Sequence, residues 1–258
     1  MLDAIIAKKK ITVAEEKAQM PLREIKQKLS FGSFALSKAM RHAPWSLIAE
    51  CKLKSPAKGR LCINHTVLDL AKIYEENGAT ALSVHTDEHF LGRLTDLAFV
   101  KETVGIPVLR KDFIIDEYQI YQSRQYGADG ILLIARILTP SQLKEYLHVA
   151  WDIGLDCLVE VHDERDINVV MDTRAELIGI NNRNLKNFTT DVQHTLDLIG
   201  YCDTSRTIIS ESGIKNRKDI ESVQSHAVRG VLVGEGLVKA RDIAEKTREL
   251  SLQEKIGG

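Results

Sequence analysis

The sequence predicts an α/β protein, a single closed (β/α)8 barrel over residues 45–250 behind an N-terminal helical extension over residues 1–44, together one domain. Three observations carry this. Eight short apolar runs of strand length recur through the chain. Eight amphipathic helical patterns alternate with them, and near-continuous apolar strands separated by helices argue for a parallel sheet covered by helices. Helical patterns also end repeatedly on a glycine just before a strand, as in Asn77-Gly78-Ala79, Tyr126-Gly127-Ala128 and Ile153-Gly154-Leu155, where glycine suits the left-handed helix stop. Eight such units in 258 residues fit a closed barrel. A doubly wound open sheet usually shows a Gly-rich turn after its first strand, and here charges stand there.

In order, residues 1–18 read as an amphipathic helix with Leu2, Ile5, Ile6 and Val13 on one side. Pro21 breaks it. A second helical stretch follows, then Phe31-Gly32-Ser33 and a short helix to about His42. This extension is expected to cap one end of the core or to form an oligomer contact. The strand candidates are centred on Leu47-Ile48-Ala49, Ala81-Leu82-Ser83, Pro107-Val108-Leu109, Ile131-Leu132-Leu133, Leu158-Val159-Glu160, Leu177-Ile178-Gly179, Ile208-Ile209-Ser210 and Val231-Leu232-Val233. Helices are expected over 66–76, 94–103, 117–126, 140–151, 164–172, 192–199, 216–224 and 240–250. Thr139-Pro140 has the form of an N-cap followed by proline at the first helical position.

Composition narrows the function classes. Charged residues make up 28% and hydrophobic ones 44%, with net charge −1, so the chain reads as an ordinary globular one. No basic stripe interleaved with aromatics points to nucleic acid. No apolar run reaches membrane-span length, so no membrane role is expected. No h-region with a small-residue cleavage site opens the chain, and Lys8-Lys9-Lys10 lies inside a helical pattern. Cys51, Cys62, Cys157 and Cys202 are scattered, which suits a reducing cytoplasm.

Strand side chains alternate faces. Ile48, Glu50 and Lys52 therefore share one face, and Ala49, Cys51 and Leu53 the other. The third strand ends in Lys111 and Phe113 on the face of Leu109, and the fifth in Glu160 between Leu158 and His162. The sixth ends in Asn181 and Arg183, the seventh in Ser210-Glu211-Ser212-Gly213 and the eighth in Gly234-Glu235-Gly236. A single charged strand end is most simply a structural ion pair. Lysines, an arginine and carboxylates converging on one barrel mouth are the pattern of a catalytic site. Gly213 and Gly234 free backbone N–H groups for an anion, at the two strand ends that commonly hold phosphate in this fold. The Glu235 side chain is expected to turn away while its N–H serves.

Other motifs support no site. His85 and His89 are four apart, but the acid between them is misplaced for H-E-x-x-H and they lie at a strand end, so no metal is expected. Ser212 lacks a nearby base. Gly234-Glu235-Gly236 is not G-x-G-x-x-G, so no nicotinamide cofactor is indicated.

Taken together, E-x-K-x-x-S-P at residues 50–56, L-R-K-D-F at 109–113, L-V-E-V-H at 158–162, G-I-N-N-R-N-L at 179–185 and S-E-S-G-I at 210–214 resemble the indole-3-glycerol phosphate synthase family of tryptophan biosynthesis. The resemblance covers nearly the whole chain. It implies cofactor-free ring closure of 1-(2-carboxyphenylamino)-1-deoxyribulose 5-phosphate with loss of carbon dioxide and water. It implies Lys111 as general acid, with a pKa lowered by neighbouring cations, and Glu160 as general base, assisted by Lys52, with Glu50 holding the lysines. Asn181 and Arg183 would orient the carboxylate and hydroxyls. Phe113, Leu132 and Leu185 would line the ring pocket, and Glu211 joins the substrate-binding set. Phosphate falls to Ser212, Gly213, Gly234 and the Glu235 backbone, with Ser55 nearby. The implied partner is a small phosphorylated substrate, and the expected state a monomer or weak homo-oligomer. Three departures stand out: Ala57 in place of a second serine after S-P, Glu235 where some members have serine, and His85 and His89 in place of more apolar residues. Two rival readings fit the chain less well. A phosphate-binding sugar isomerase of the same fold would pair a Cys or Asp of the first strand with an acid across the barrel, but Cys51 faces the wrong way. A non-catalytic phosphoribosyl-binding barrel would have no need of Lys111 and Glu160.

Overall fold

A computed structural model describes residues 2–184 and 189–253. Eight parallel strands close into a barrel: β1 (Ser46–Cys51), β2 (Ala81–His85), β3 (Val108–Lys111), β4 (Gly130–Ile134), β5 (Asp156–Val161), β6 (Leu177–Asn181), β7 (Thr207–Glu211) and β8 (Gly230–Val233). Each pairs with its sequence neighbour, and β1 closes the ring against β8 with Ser46 opposite Gly230 and Ala49 opposite Val233. The eight predicted strands are all present, each within a few residues of its expected position. Helices follow the strands: α4 (Val67–Glu76), α5 (Leu94–Thr103), α6 (Glu117–Gln125), α7 (Pro140–Asp152), α8 (Glu164–Met171), α9 (Gln193–Leu198), α10 (Arg217–Gln224), α11 (Glu235–Val238) and α12 (Ile243–Leu250). Thr66, Thr139 and Asn216 open α4, α7 and α10 with reciprocal capping boxes, each satisfying backbone N–H groups that the first helical turn leaves unpaired. A two-residue hairpin, Lys54–Ser55 paired with Gly59–Arg60, stands in the loop after β1 and was not anticipated.

Alternation along the strands divides the apolar residues into two cores. Leu47, Ala49, Cys51, Val84, Ile131, Val159, Ile178 and Val231 face outward and pack under the helices. Ile48, Ala81, Leu109, Leu132, Leu158, Leu177, Ile209 and Leu232 fill the barrel interior. This is the layered packing expected of an eight-stranded barrel.

The extension grips the barrel at both ends. Its helices are α1 (Leu2–Gln19), α2 (Leu22–Lys28) and α3 (Ala35–His42). Leu36 and Met40 of α3 join the interior core, and the Ser37 N–H donates to Asp156 Oδ2 at the start of β5 over 2.9 Å, so α3 plugs the bottom. Val13 and Ile25 pack on Tyr118 of α6, whose hydroxyl donates to the carbonyls of Glu16 and Met20. At the top, Lys9 is buried between Asp87 (2.9 Å) and Asp112 (2.6 Å). Asp112 in turn pairs with buried Arg110 at 2.8 Å.

The crossing into α3 depends on two glycines. The Gly32 N–H donates to the Ile153 carbonyl at 2.8 Å. A Cβ on Gly32 would meet the Gly154 carbonyl, and a Cβ on Gly154, which has φ +71°, would meet that of Gly32. Neither obstacle is a flexible side chain, so the backbones would have to part. Gly32→Ala is expected to destabilise the protein by about 1–3 kcal/mol, the usual cost of overpacking. A denaturant midpoint equal to that of the wild type would disprove the tight crossing.

Candidate active site

The top of the interior is a charged layer. Odd-numbered strands supply Glu50, Lys111, Glu160 and Glu211, one each from β1, β3, β5 and β7. These continue the inward rows of Ile48, Leu109, Leu158 and Ile209. Lys111 Nζ donates to Glu211 Oε2 at 2.8 Å and to Glu160 Oε2 at 3.1 Å. Lys52 Nζ lies 3.5 Å from Glu50 Oε2. The even-numbered strands make room for these groups. A Cβ on Gly179 of β6 would overlap the Glu211 carboxylate, and one on Gly234, just past β8, would overlap the Glu50 carboxylate.

Burial and mutual contact set the protonation states. Burial works against the Lys111 ammonium, but Glu211, Glu160 and Glu50 outweigh it and hold its pKa well above the ordinary lysine value. This corrects the expectation that neighbouring cations lower it: the groups that touch Lys111 are carboxylates, and Lys52 lies beyond them against Glu50. Burial would raise Glu50 and Glu160, yet Lys52 and Lys111 hold Glu50 low, and Lys111, joined by a hydrogen bond from Asn181, holds Glu160 low. Glu211 goes the other way. Burial, added to the charge of Glu160 and only partly offset by Lys111, pushes it up to about 7.

The layer floors a cavity of about 620 Å³. On one side are Phe113, Leu132, Ile134 and Phe90, an apolar wall suited to an aromatic ring. Lys52 Nζ lies 5.3 Å over the Phe90 ring. Asn181, Arg183 and Arg136 face the same space, and Leu2, Asp3 and Ile5 of α1 overhang it. Arg136 is fixed by Asp163 (3.0 Å) and Asp166 (2.7 Å). Leu185, expected in the ring pocket, lies outside the described residues.

The other end of the cavity carries Ser55, Ser212, Gly213, Gly234 and Glu235. Ser212 and Gly213 both have positive φ, 67° and 88°. For serine this is a strained conformation of the kind that persists where surrounding contacts enforce it. Asn182 does so here: its Nδ2 donates to the Ser212 carbonyl and to Ser210 Oγ, both at 2.9 Å. Its Oδ1 accepts from the Thr195 N–H and hydroxyl. The Glu235 carboxylate accepts from Lys58 at 2.8 Å and Lys239 at 2.9 Å.

Sequence reasoning passed over Asn182, Arg136, Phe90 and the His85 contact with Glu50. Asn182 was hidden because it leans outward between the two residues expected to face the substrate. The tandem N-N in the sixth strand end was the one available signal. Among the described residues, no group of three or more His, Cys, Asp or Glu side chains is placed to hold a metal ion, and no helix is long and apolar enough to cross a membrane.

Comparison with known proteins agrees with this geometry. The family model described as indole-3-glycerol phosphate synthase matches residues 2–250. A protein named indole-3-glycerol phosphate synthase from Desulforamulus reducens is 51% identical over 207 residues, covering 80% of this chain and 78% of that one. One of the same name from Endomicrobium trichonymphae is 42% identical over 257 residues, covering 97% and 99%. Among solved structures, a 3-hexulose-6-phosphate synthase superposes with a TM-score of 0.66 at 16% identity, over 80% of this chain and 98% of that one. Orotidine 5′-phosphate decarboxylase from Pyrococcus horikoshii superposes with a TM-score of 0.61 at 10% identity, over 80% and 97%. At those identities the superpositions speak to the barrel alone, whereas the full-length family match also takes in the extension and every strand end of the charged layer. The chain belongs to the indole-3-glycerol phosphate synthase family.

Proposed function

We propose that this protein converts 1-(2-carboxyphenylamino)-1-deoxyribulose 5-phosphate into indole-3-glycerol phosphate, carbon dioxide and water, as a step of tryptophan biosynthesis. The observation that carries the reading is Lys111, buried between Glu160 and Glu211 in a cavity lined both by apolar Phe113 and Leu132 and by Ser212, Gly213 and Gly234. That cavity matches a substrate with an aromatic ring and a phosphate at opposite ends. The phosphate goes to Ser212, Gly213, Gly234 and the Glu235 N–H, with Ser55 beside them, and the ring goes against Phe113 and Leu132. Arg183 and Asn181 take the benzoate carboxylate and the hydroxyls, since a guanidinium matches a planar carboxylate.

Bound in this way, the aromatic carbon bearing the carboxylate is held near the ketone carbon, and proximity removes much of the barrier. As the carbon–carbon bond forms, Lys111 gives its proton to the ketone oxygen. Loss of carbon dioxide restores the aromatic ring. The new hydroxyl then leaves as water, taking a second proton, while Glu160 removes the proton that allows the indole double bond to form. Every step is a proton transfer or the making or breaking of a carbon–carbon or carbon–oxygen bond, with no net oxidation or reduction, so no cofactor is called for. The high pKa of Lys111 in the empty site keeps it charged until substrate arrives. Glu211, poised near neutrality, is suited to pass a proton to and from it. Glu50 anchors Lys52 within reach of the substrate's anionic groups. The four free cysteines suit the cytoplasm.

Three results are expected. The purified protein should produce indole fluorescence from the carboxyphenylamino ribulose phosphate; binding without turnover would leave a ligand-binding barrel instead. Lys111→Ala and Glu160→Gln should each lower kcat by at least about a hundredfold, the scale of lost general acid–base catalysis. A near-wild-type rate in either variant refutes that residue's role. Glu211→Gln should show a stability difference that depends on pH. A carboxyl raised on folding contributes stability in acid that is lost as pH rises through its folded pKa. The glutamine variant should therefore gain melting temperature relative to wild type between about pH 5 and about pH 8. A gap that stays constant or narrows contradicts the raised pKa.

A further inference from the structure

We propose that His85 is a positioning residue for this reaction: it engages one oxygen of Glu50 so that the Lys52 ammonium, left with only the other, stays free to reach the substrate's anion. The inference rests on the synthase reading above. His85 is the last residue of β2, and its ring is buried, facing the cavity at the level of the charged layer. Nε2 lies 2.8 Å from Glu50 Oε1, off the line of a straight hydrogen bond, and has no other partner among the described residues. A small ring or carboxylate rotation makes the bond straight. The ring plane is fixed on the other side by Phe90, stacked at 4.3 Å and 5°.

Phe90 also lies beneath Lys52, so imidazole and ammonium share one aromatic support while approaching opposite oxygens of one carboxylate. The unequal distances matter. His85 sits at 2.8 Å from Oε1, whereas Lys52 stands off at 3.5 Å from Oε2. The groups bearing on His85 are Glu50, which favours its charged form, and Lys52 and Lys111, which oppose it together with burial; the net effect is a lowered pKa. Asp87, on the same loop, is held by Lys9 and His89. At neutral pH the imidazole is therefore an uncharged donor, able to satisfy Oε1 without adding a cation beside two lysines. Glu50 Oε2 fills the space that a side chain at Gly234 would need. Without the imidazole, Oε1 of a largely buried side chain would lose its nearest donor, which is costly. The nearest donor able to answer is the Lys52 ammonium, which would close on both oxygens and withdraw from the substrate.

This predicts an unusual order of variants. Leucine is close to the imidazole in volume and can pack on Phe90, against which the ring stacks, so His85→Leu is expected to fold, with a melting temperature near that of wild type. Its KM for the carboxyphenylamino ribulose phosphate should rise about tenfold with kcat little changed, the signature of lost binding shared equally by ground and transition states. His85→Gln places an amide N–H where Nε2 stood and should bring KM back to within about threefold of wild type. If His85 only filled space, leucine would substitute better than glutamine. A wild-type KM in the leucine variant, or equal KM values in the two variants, overturns the proposal. Wild-type protein that fails to turn over the substrate removes this inference together with the reading beneath it. Wild-type turnover with an unaffected leucine variant removes this inference alone.

Discussion

The contact between Lys111 and the carboxylates of Glu160 and Glu211 is the constraint to which the upper half of the barrel answers. An ammonium and three carboxylates in one interior layer is an expensive arrangement, because each charge leaves water and the acids repel one another. The surroundings offset it in specific ways. Lys52 supplies a second cation beside Glu50. His85 and His162 border Glu50 and Glu160 with imidazoles that burial keeps uncharged. Glu211, buried beside Glu160, retains its proton to near neutrality. Below this layer the interior is mostly hydrocarbon, with the buried hydroxyls of Ser46 and Ser83 among it, so the charges at the mouth rest on a packed core.

The extension extends that logic. It closes the bottom with Leu36 and Met40 and reaches the top through the buried Lys9. Asp112, which accepts from Lys9, also accepts from Arg110 and the Phe113 N–H, and so lies one residue from Lys111 and one from the ring wall. The helix that begins the chain therefore helps hold the end of β3 and the loop after it, which carry Lys111 and Phe113.

Much of this was legible in the sequence, and the reason is strand parity. Once residues 45–250 are read as eight strands, a period of two sends Glu50, Lys111, Glu160 and Glu211 to one place without any knowledge of distance. Parity says nothing about which of these groups touch, so the partners of Lys111, and with them the direction of its pKa shift, came only with the structure. Lys9 was illegible for another reason. Within Lys8-Lys9-Lys10 it looks like part of a solvated face, and only tertiary contact with two aspartates distinguishes it from its neighbours. Asn182 escaped because its work is done on the outward face, through a turn whose positive φ values have no signature beyond a serine followed by glycine.

The two glycines opposite the acids have a consequence for how this barrel can change over time. Gly179 and Gly234 are vacancies shaped to Glu211 and Glu50, and any side chain there would meet the carboxylate before anything else. A lineage that lost either acid would be left with a hole, and filling the hole with alanine would bar the acid's return. Each glycine–glutamate pair thus behaves as a one-way valve: drift towards another chemistry on this scaffold is easy to begin at these positions and hard to reverse.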